Sequence, residues 1–475
     1  MTDLTEHSLV ELAALIRRGK ASPVAVMEAH LARIQELNPS LRALVMVSPQ
    51  ALEQAQKAEA ALASNQSLGP LHGVPLTVKD TIDTAGLRTA SGSRVLKRYV
   101  PQEDAPAVAR LRAAGAIILG KTNVSELAVA YDAENPVFGR TNNPHDLART
   151  PGGSSGGEAA AISACLAPGG IGSDLVGSIR IPAHFCGIVG LKPTNGAVAG
   201  EGQWPHAVGP LSLGATLGPL ARRVADVHLL FEVMSLRRRK GSRSFSEPNA
   251  FLLNYANRLR GRKFLWYADD SCATVAPIIA EAVETAAKAL ERAGLAGRQE
   301  IPPGVAAGPR LWHGLFSHAA AQQLRVIYEG RNDQAGPAVQ ALWRAQARQP
   351  APTLATFWQT WQERDEKRGR LLAALEETPL LVAPVGAVAA PLHGTHRVTV
   401  GAQEISLFQA FGYAQTFNVY GLPAVSVPVA WTPEGLPVGV QIVGRPFAEH
   451  EVLAAAMILE NALGGWRKPL YSSFQ

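Results

Sequence analysis

The residues that decide the fold and the function of this chain lie at positions 150–194: TPGGSSGGEAAAISACLAPGGIGSDLVGSIRIPAHFCGIVGLKPT. Two glycine-flanked serine sites, Ser154-Ser155 and Ser178, stand around a short apolar segment. Because glycine has no Cβ, backbone N–H groups beside such a hydroxyl can approach a reacting atom closely. A linker or a Walker phosphate loop fits poorly, since apolar runs continue through the stretch and GxxxxGK[ST] is absent from it. The stretch therefore predicts a site for nucleophilic attack.

Length and composition indicate a large globular protein. The chain has 475 residues, of which 47% are hydrophobic and 18% are charged, enough for an extensive core. Its net charge of +6, from 45 basic and 39 acidic residues, is small for this length. One basic cluster, at 237–240 with Arg243, has no aromatic residues between its charges and is typical of a solvated loop. We therefore expect no nucleic-acid partner.

The cysteine content and the N-terminal sequence bear on the compartment. The three cysteines, Cys165, Cys186 and Cys272, form no CxxC pair and no even-numbered framework, which favours a reducing cytosol. The N-terminus lacks a basic segment followed by an apolar core, and no apolar run reaches the roughly 18 residues of a membrane span. We expect a cytoplasmic protein without a membrane-spanning helix.

Helical patterns alternate with short apolar runs along the chain. The runs at 74–78, 116–119, 264–267, 380–384, 424–428 and 438–442 predict buried strands. This alternation predicts an α/β fold with one large mixed, mostly parallel twisted β-sheet, flanked by helices on both faces. We expect a single domain over 1–475, divided into an N-terminal helical layer (1–65), a core (66–235), a variable and mostly helical pocket region (236–378) and a C-terminal part of the core sheet with a closing helix (379–475).

A nucleophilic serine needs a base, and histidine is the usual one. No histidine lies in a GxSxG elbow or in a triad pattern, and His184 lies in a buried run near Ser178, as a packed residue would. Lys79 follows the apolar VPLTV at a strand end, where burial would lower its pKa and let the neutral amine accept a proton. A lysine at this position could equally pair with Asp80 or Asp83. The residues alone leave both interpretations open.

Four motifs in order resemble the amidase signature family: GVPLTVKD, PGGSSGGEAAA, GSDLVGSIRIPAHFCGIVGLKPT and the C-terminal GLPAVSVPVAW with GLPVGVQIVGRPF. The resemblance covers nearly the whole chain and is weakest at 236–375. It implies the amidase-signature fold. It also implies hydrolysis of a carboxylic amide C–N bond through a serine acyl-enzyme, with aryl, alkyl or oligomeric amides, carbamates and esters as substrate classes.

The resemblance also implies roles for individual residues. Ser178 in VGSIR matches the nucleophile, Ser154 matches the bridging serine that follows a cis peptide bond, and Lys79 in TVKD matches the base. The remaining matches are the oxyanion-hole amides of Leu175, Val176 and Gly177, and the supporting residues Ser155, Asp174 and Arg180. For substrate binding we expect Tyr131, Trp312 and Phe316, because the pocket would come from 302–377 and from loops at 131–138 and 201–213.

One segment departs from the family pattern. Relatives often carry DTGGS before the nucleophile, whereas this chain has Leu175 and Val176 in the corresponding places. A β-branched residue strongly disfavours positive φ. Val176 therefore predicts a reshaped oxyanion hole if the conformation needs glycine, or a narrower cleft if the backbone is extended.

Two other functions compete with a small-molecule hydrolase. One is the amidase subunit of a glutamine-dependent tRNA amidotransferase, which usually has glutamine where this chain has Ile181. The other is a non-catalytic amidase-like binding protein, suggested by Leu175 and Val176. The expected partner is a small-molecule amide substrate, and the resemblance makes a homodimer reasonable. We expect no cofactor and no metal, since neither HExxH nor Cys/His ligand spacing occurs.

Overall fold

A computed structural model describes residues 3–64, 69–236 and 247–470. The basic cluster at 237–243 lies outside these ranges. The strands within them are β1 Leu44–Val47, β2 Pro75–Lys79, β3 Ile117–Thr122, β4 Glu134–Asn135, β5 Gly139–Arg140, β6 Gly169–Asp174, β7 Val189–Lys192, β8 Thr216–Ala221, β9 Lys263–Trp266, β10 Ala296–Gln299, β11 Leu380–Pro384, β12 Arg397–Val400, β13 Gln403–Ser406, β14 Ala424–Trp431 and β15 Pro437–Gly444.

The α-helices alternate with these strands. They are α1 Leu9–Arg17, α2 Pro23–Leu41, α3 Ala51–Ala63, α4 Pro106–Ala113, α5 Gly156–Ser163, α6 Arg180–Cys186, α7 Val224–Met234, α8 Pro248–Arg258, α9 Pro277–Arg292, α10 Gly308–Trp312, α11 His318–Ile327, α12 Pro337–Ala347, α13 Leu354–Glu377, α14 Leu407–Ala410, α15 Gly412–Val419 and α16 Glu449–Leu463. A π-helical turn, His313–Ser317, joins α10 to α11. None of the helices in the described ranges combines the length and the apolar character that crossing a membrane requires.

Eleven strands form one mixed sheet in the order β1-β3-β2-β6-β8-β7-β14-β15-β11-β9-β10. This arrangement confirms the prediction of a single large mixed sheet. Parallel pairing, which we expected through most of the sheet, occupies two blocks: β2 with β3 and β6, and β9 with β10 and β11. The strands between the blocks pair antiparallel, as does β1 at the edge.

Short connections explain part of the antiparallel pairing. The chain passes from β14 to β15 through a tight turn in which Thr432 N–H donates to the Leu436 carbonyl at 2.8 Å. A connection of this length cannot cross over the sheet, so the two strands must run in opposite directions. The N-terminal region also differs from expectation. The predicted helical layer is interrupted by β1, a four-residue edge strand that the helical pattern around it concealed.

Both faces of the sheet are covered. Every residue of β2, β6, β8, β11 and β15 is buried, and successive side chains in a strand point to opposite faces. β2, β11 and β15 have the continuous apolar runs that the sequence showed, as strands buried on both faces do. β6 and β8 lie outside the predicted runs, because glycine, proline and polar residues interrupt them. Helix α16 packs on β14 and β15, and α9 packs on β11 and β15.

The sheet brings the residues of the opening stretch to one edge. Strands β2 and β6 are parallel neighbours, with Val78 opposite Ile171, so their carboxyl ends at Lys79 and Asp174 lie side by side. Helices α5 and α6 begin directly after the two serine sites. The site therefore forms at the carboxyl ends of the strands, where open α/β sheets carry their ligand sites.

Candidate active site

Lys79 lies fully buried at the end of β2. Its Nζ donates to Ser154 Oγ at 2.7 Å and to Ser173 Oγ at 2.9 Å. Burial lowers the pKa of Lys79 to about 7, although the carboxylates of Asp174 and Glu158 act to raise it. The hydrogen bonds run to serines and not to Asp80 or Asp83, which favours the interpretation of Lys79 as a base.

The two serine sites meet beside this lysine. The peptide bond between Gly153 and Ser154 is cis. Ser154 is completely buried, and Ser178 keeps only 3% of its surface exposed. Ser155 N–H donates to the Ser178 carbonyl at 3.2 Å, and Ser155 Oγ donates to the Ser173 carbonyl at 3.3 Å. Ser155 thus connects the start of α5 to the loop that carries Ser178 and to β6.

A buried ion pair holds the loop between β6 and α6. Arg180 Nε donates to Asp174 Oδ2 at 3.1 Å, and Arg180 Nη2 donates to Asp174 Oδ1 at 3.1 Å. Burial acts to raise the pKa of Asp174, but the Arg180 guanidinium outweighs it and keeps this pKa well below its usual value. Asp174 also accepts from Ile179 N–H at 3.1 Å. The predicted supporting residues therefore fix the backbone on both sides of Ser178.

Two residues of the C-terminal half complete this network. Arg180 donates to Gln441 Oε1 at 2.8 Å and to Asn418 Oδ1 at 2.6 Å. Asn418 Nδ2 donates in turn to Asp174 Oδ1 at 2.9 Å. Sequence reasoning missed both residues. Gln441 stands as a polar residue inside the apolar run of β15, which is a signal that could have indicated it.

Gly177 occupies a position that only glycine accepts. Its φ is +101°, and an added Cβ would lie 2.6 Å from Ile181 Cδ1 and 2.7 Å from Ala414 Cβ. Its N–H donates to Asp174 Oδ1 at 2.8 Å. The geometry therefore does not support the expected role of Gly177 as an oxyanion donor, because its hydrogen is already engaged.

Val176 adopts no left-handed conformation, since it is not one of the described non-glycine residues with positive φ. The reshaping predicted for a glycine-only conformation at Val176 therefore does not arise. The strained conformation falls one residue later, at Gly177. The expected amides of Leu175 and Val176 remain as candidate donors, and both residues are half-buried.

Tyr131 and Trp312, expected in the substrate pocket, contact the carbonyls of this segment. The Trp312 indole Nε1 donates to the Leu175 carbonyl at 2.8 Å, and the Tyr131 hydroxyl donates to the Val176 carbonyl at 3.1 Å. Phe408 packs against both rings, with centroid distances of 6.3 Å to Tyr131 and 5.3 Å to Trp312. Phe408 is 38% exposed and belongs to α14, and no motif in the sequence indicated it.

Phe316 lies behind Trp312. Its ring packs edge-on against the indole at a centroid distance of 5.9 Å, and none of its surface is exposed. A residue that lines an open pocket keeps some accessible surface. The structure therefore places Phe316 as packing support for Trp312 and not in the substrate contact that we expected.

Glu158 is a further buried acid near Lys79. It accepts hydrogen bonds from the hydroxyls of Thr77 and Thr122, the latter at 2.6 Å. Burial raises the pKa of Glu158 to about 7, although these hydroxyls and nearby lysines act to lower it. The residue is part of the motif GGSSGGEAAA, where an acid between glycines and alanines was the available signal.

One group of side chains outside this site could hold a metal ion. The ligand atoms of His228, Glu232 and His450 all lie within 4.8 Å of one another. Glu232 and His450 already interact directly at 2.8 Å. Motif spacing did not reveal the group, because its third member comes from α16. The group shares no residue with the serine and lysine cluster.

The fold and the cluster of Lys79, Ser154 and Ser178 define an α/β enzyme with a buried serine and lysine centre. Comparison with known proteins gives its family. The sequence matches the Amidase family over residues 25–453. The chain therefore belongs to the amidase signature family, as the motifs indicated.

Several known proteins are similar along nearly their whole length. A glutamyl-tRNA(Gln) amidotransferase subunit of Thermus thermophilus is 35% identical over 95% of this chain and 96% of that protein. Fatty-acid amide hydrolase 2 of Homo sapiens is 32% identical over 97% of this chain and 90% of that protein. The structure of 6-aminohexanoate cyclic dimer hydrolase with its substrate superposes with a TM-score of 0.83 and 29% identity, covering 98% of this chain and 99% of that chain.

We expect activity to rise with pH through the pKa of Lys79. The amine accepts a proton only when neutral, so kcat/KM for a neutral amide should fall about tenfold per pH unit below pH 7 and level off above it. Lys192 is a matched control, because burial lowers its pKa to about 7 as well while its Nζ bonds only the Pro193 carbonyl among described groups. Lys192→Met should keep the fall in kcat/KM below pH 7, and Lys79→Met should lose activity. Absence of that fall in Lys192→Met would contradict the assignment of the pH dependence to Lys79.

Arg180→Gln should destabilise the fold strongly. It leaves the Asp174 carboxylate buried without its counter-charge, which typically costs about 3 to 5 kcal/mol. Urea unfolding monitored by circular dichroism measures the change. The control is Arg298→Gln, which breaks an exposed ion pair with Glu300 and should cost less than about 1 kcal/mol. Equal losses in the two variants would refute the structural importance of the buried pair.

Proposed function

We propose that this protein is an amidohydrolase that cleaves a carboxylic amide C–N bond through an acyl-enzyme on Ser178. The observation that carries the proposal is the 2.7 Å hydrogen bond from Lys79 to Ser154, formed where Ser178 also lies. A lysine whose pKa is lowered to about 7 by burial can act as a base near neutral pH. Family membership supports the same reaction.

In the proposed reaction, Ser178 Oγ attacks the substrate carbonyl carbon and its proton passes to Ser154 Oγ. Ser154 gives its own proton to Lys79 Nζ, so Ser154 passes one proton on and stays neutral. When the tetrahedral intermediate collapses, the C–N bond breaks and the proton returns through Ser154 to the leaving nitrogen. Water then attacks the acyl-enzyme by the same relay, which releases the carboxylic acid and restores Ser178.

The amides of Leu175 and Val176 are the proposed oxyanion donors. Such a donor typically contributes about 3 kcal/mol to transition-state stabilisation. Gly177 N–H is left out of this proposal because it serves Asp174. The positive φ of Gly177 lets the backbone turn just before Ser178.

An apolar group beside the reacting amide fits the surroundings of the site. The side chains of Tyr131, Trp312 and Phe408 form an aromatic wall next to the Leu175–Val176 backbone. Such walls favour aryl or long alkyl groups over charged ones. Trp312 comes from the variable region at 302–377, in agreement with the proposal that this region shapes the pocket of a single amidase domain. Carbamates and esters remain within the proposed range, because they pass through the same tetrahedral intermediate.

We include a cytosolic location and a homodimer in the proposal. The three cysteines are free thiols, and Cys272 is exposed, which suits a reducing compartment. Light scattering of the purified chain measures the number of chains per particle directly.

Ser178→Ala should abolish hydrolysis of a p-nitroanilide panel that spans acetyl, hexanoyl and benzoyl groups. Removal of the nucleophile typically costs on the order of 10⁶ in kcat in serine hydrolases. The matched control is Ser163→Ala, a buried serine that contacts His145 and not Lys79, Ser154 or Ser178, and it should keep wild-type rates. A fluorophosphonate should label Ser178 in the wild type. Equal hydrolysis in Ser178→Ala, or a folded protein without label, would refute the proposal and favour a non-catalytic binding protein.

A glutaminase component of an amidotransferase is the second candidate, because the similar proteins include one from such an enzyme. Against it, the buried apolar Ile181 packs beside Gly177, and the side chains that contact the Leu175–Val176 carbonyls are aromatic. We expect kcat/KM for hexanoyl or benzoyl anilides to exceed that for free glutamine by at least about a hundredfold, since each buried methylene adds about 0.8 kcal/mol of binding. Ammonia release from glutamine measured beside nitroaniline release decides between them. Faster turnover of glutamine would establish the amidotransferase function.

A further inference from the structure

Three consecutive carbonyls before the nucleophile are each held by a side chain from another element. The Asp174 carbonyl accepts from Asn418 Nδ2 at 3.2 Å. The Leu175 carbonyl accepts from Trp312 Nε1 at 2.8 Å, and the Val176 carbonyl accepts from the Tyr131 hydroxyl at 3.1 Å. No peptide plane between Asp174 and Gly177 is therefore left to rotate without losing a hydrogen bond.

Planarity of the peptide bond converts these contacts into amide orientations. In a trans peptide the carbonyl of one residue and the N–H of the next point in opposite directions within one rigid plane. The bond from Trp312 to the Leu175 carbonyl therefore fixes the direction of Val176 N–H. The bond from Asn418 fixes the direction of Leu175 N–H in the same way. The bond from Tyr131 fixes the direction of Gly177 N–H, which donates to Asp174 Oδ1.

The two aromatic donors are themselves held in place. Helix α10 ends at Trp312 and packs on α15 so closely that a Cβ on Gly308 would lie 2.2 Å from Thr416 Oγ1. The π-helical turn His313–Ser317 follows directly, a feature that often occurs at functional sites. The Tyr131 hydroxyl accepts from Gln415 Nε2 at 2.9 Å, which directs its own hydrogen toward Val176. Both donors therefore have a defined geometry before substrate binds.

We propose that Trp312 and Tyr131 are positioning residues for the proposed oxyanion hole, in addition to forming the wall of the substrate pocket. Trp312 orients the Val176 amide, and Tyr131 holds the peptide plane that follows Val176, so that Val176 is fixed on both sides. The inference rests on the proposed hydrolase function and adds to it. Both side chains hold the backbone carbonyls of Leu175 and Val176, and Val176 stands where relatives often carry glycine. The rate of the chemical step then depends on two aromatic groups that contact the backbone and not the reacting atoms.

The test compares Trp312→Phe and Tyr131→Phe with wild type. Each change removes one donor and keeps an aromatic ring. An oxyanion contact acts in the transition state, so kcat should fall about tenfold or more while KM changes by less than about threefold. A trifluoromethyl ketone forms a tetrahedral adduct that bears the oxyanion, and its inhibition constant should rise by the same factor as kcat falls.

Two control variants make the same chemical changes elsewhere. Trp343→Phe removes an indole N–H that has no hydrogen-bond partner among described groups, and Tyr413→Phe removes a hydroxyl that donates to the Ala273 carbonyl. Both should retain kcat and ketone affinity. A rise in KM alone in the Trp312 and Tyr131 variants, with kcat and ketone affinity unchanged, would show that these residues only line the pocket and would overturn the proposal.

The wild-type measurement separates this inference from the proposed function. Absence of wild-type hydrolysis across the anilide panel would refute the hydrolase proposal by itself. The rate of Ser178 labelling by a fluorophosphonate, whose phosphoryl oxygen occupies the same hole, still tests the orientation of the amides. Labelling that is about tenfold slower in Trp312→Phe and Tyr131→Phe supports the positioning role, and equal labelling rates refute it.

Discussion

The buried ion pair between Asp174 and Arg180 is the interaction on which the rest of the site depends. It joins the end of β6 to the start of α6, and Asn418 and Gln441 attach it to the C-terminal half of the chain. An ion pair with both groups fully buried survives only when its remaining hydrogen-bonding capacity is satisfied, and here amide side chains and backbone N–H groups do so. The loop that carries Ser178 is consequently fixed from two distant parts of the sequence.

Lys79 and its neighbours show how burial and charge oppose each other at this edge of the sheet. Burial lowers the pKa of Lys79 and raises that of Glu158, while their mutual attraction acts in the reverse direction on both. The two groups reach similar pKa values of about 7. A proton can therefore be taken up and returned near neutral pH without a large energetic step.

The sequence predicted the large mixed sheet and the residues of its carboxyl edge, because buried strands and glycine-flanked serines leave local patterns. It did not predict the antiparallel middle of the sheet or β1, since strand direction depends on turn lengths and on pairing across the chain. Asn418, Phe408 and the indole contact of Trp312 were also missed as specific contacts. Each depends on side chains that come into contact only after α10, α14 and α15 have packed. No periodic pattern in the local sequence indicates such contacts.

The presence of Leu175 and Val176 is compatible with this arrangement for a geometrical reason. The left-handed conformation occurs at Gly177, so neither Leu175 nor Val176 needs glycine's freedom. The contacts from Trp312 and Tyr131 go to carbonyl oxygens, which every residue possesses, and the side chains remain available for packing. The Leu175 side chain lies against the backbone at Gly214, where a Cβ would come within 2.9 Å of its Cδ1. The segment can thus change its side chains, and with them the shape of the pocket, while its amide groups keep their orientation.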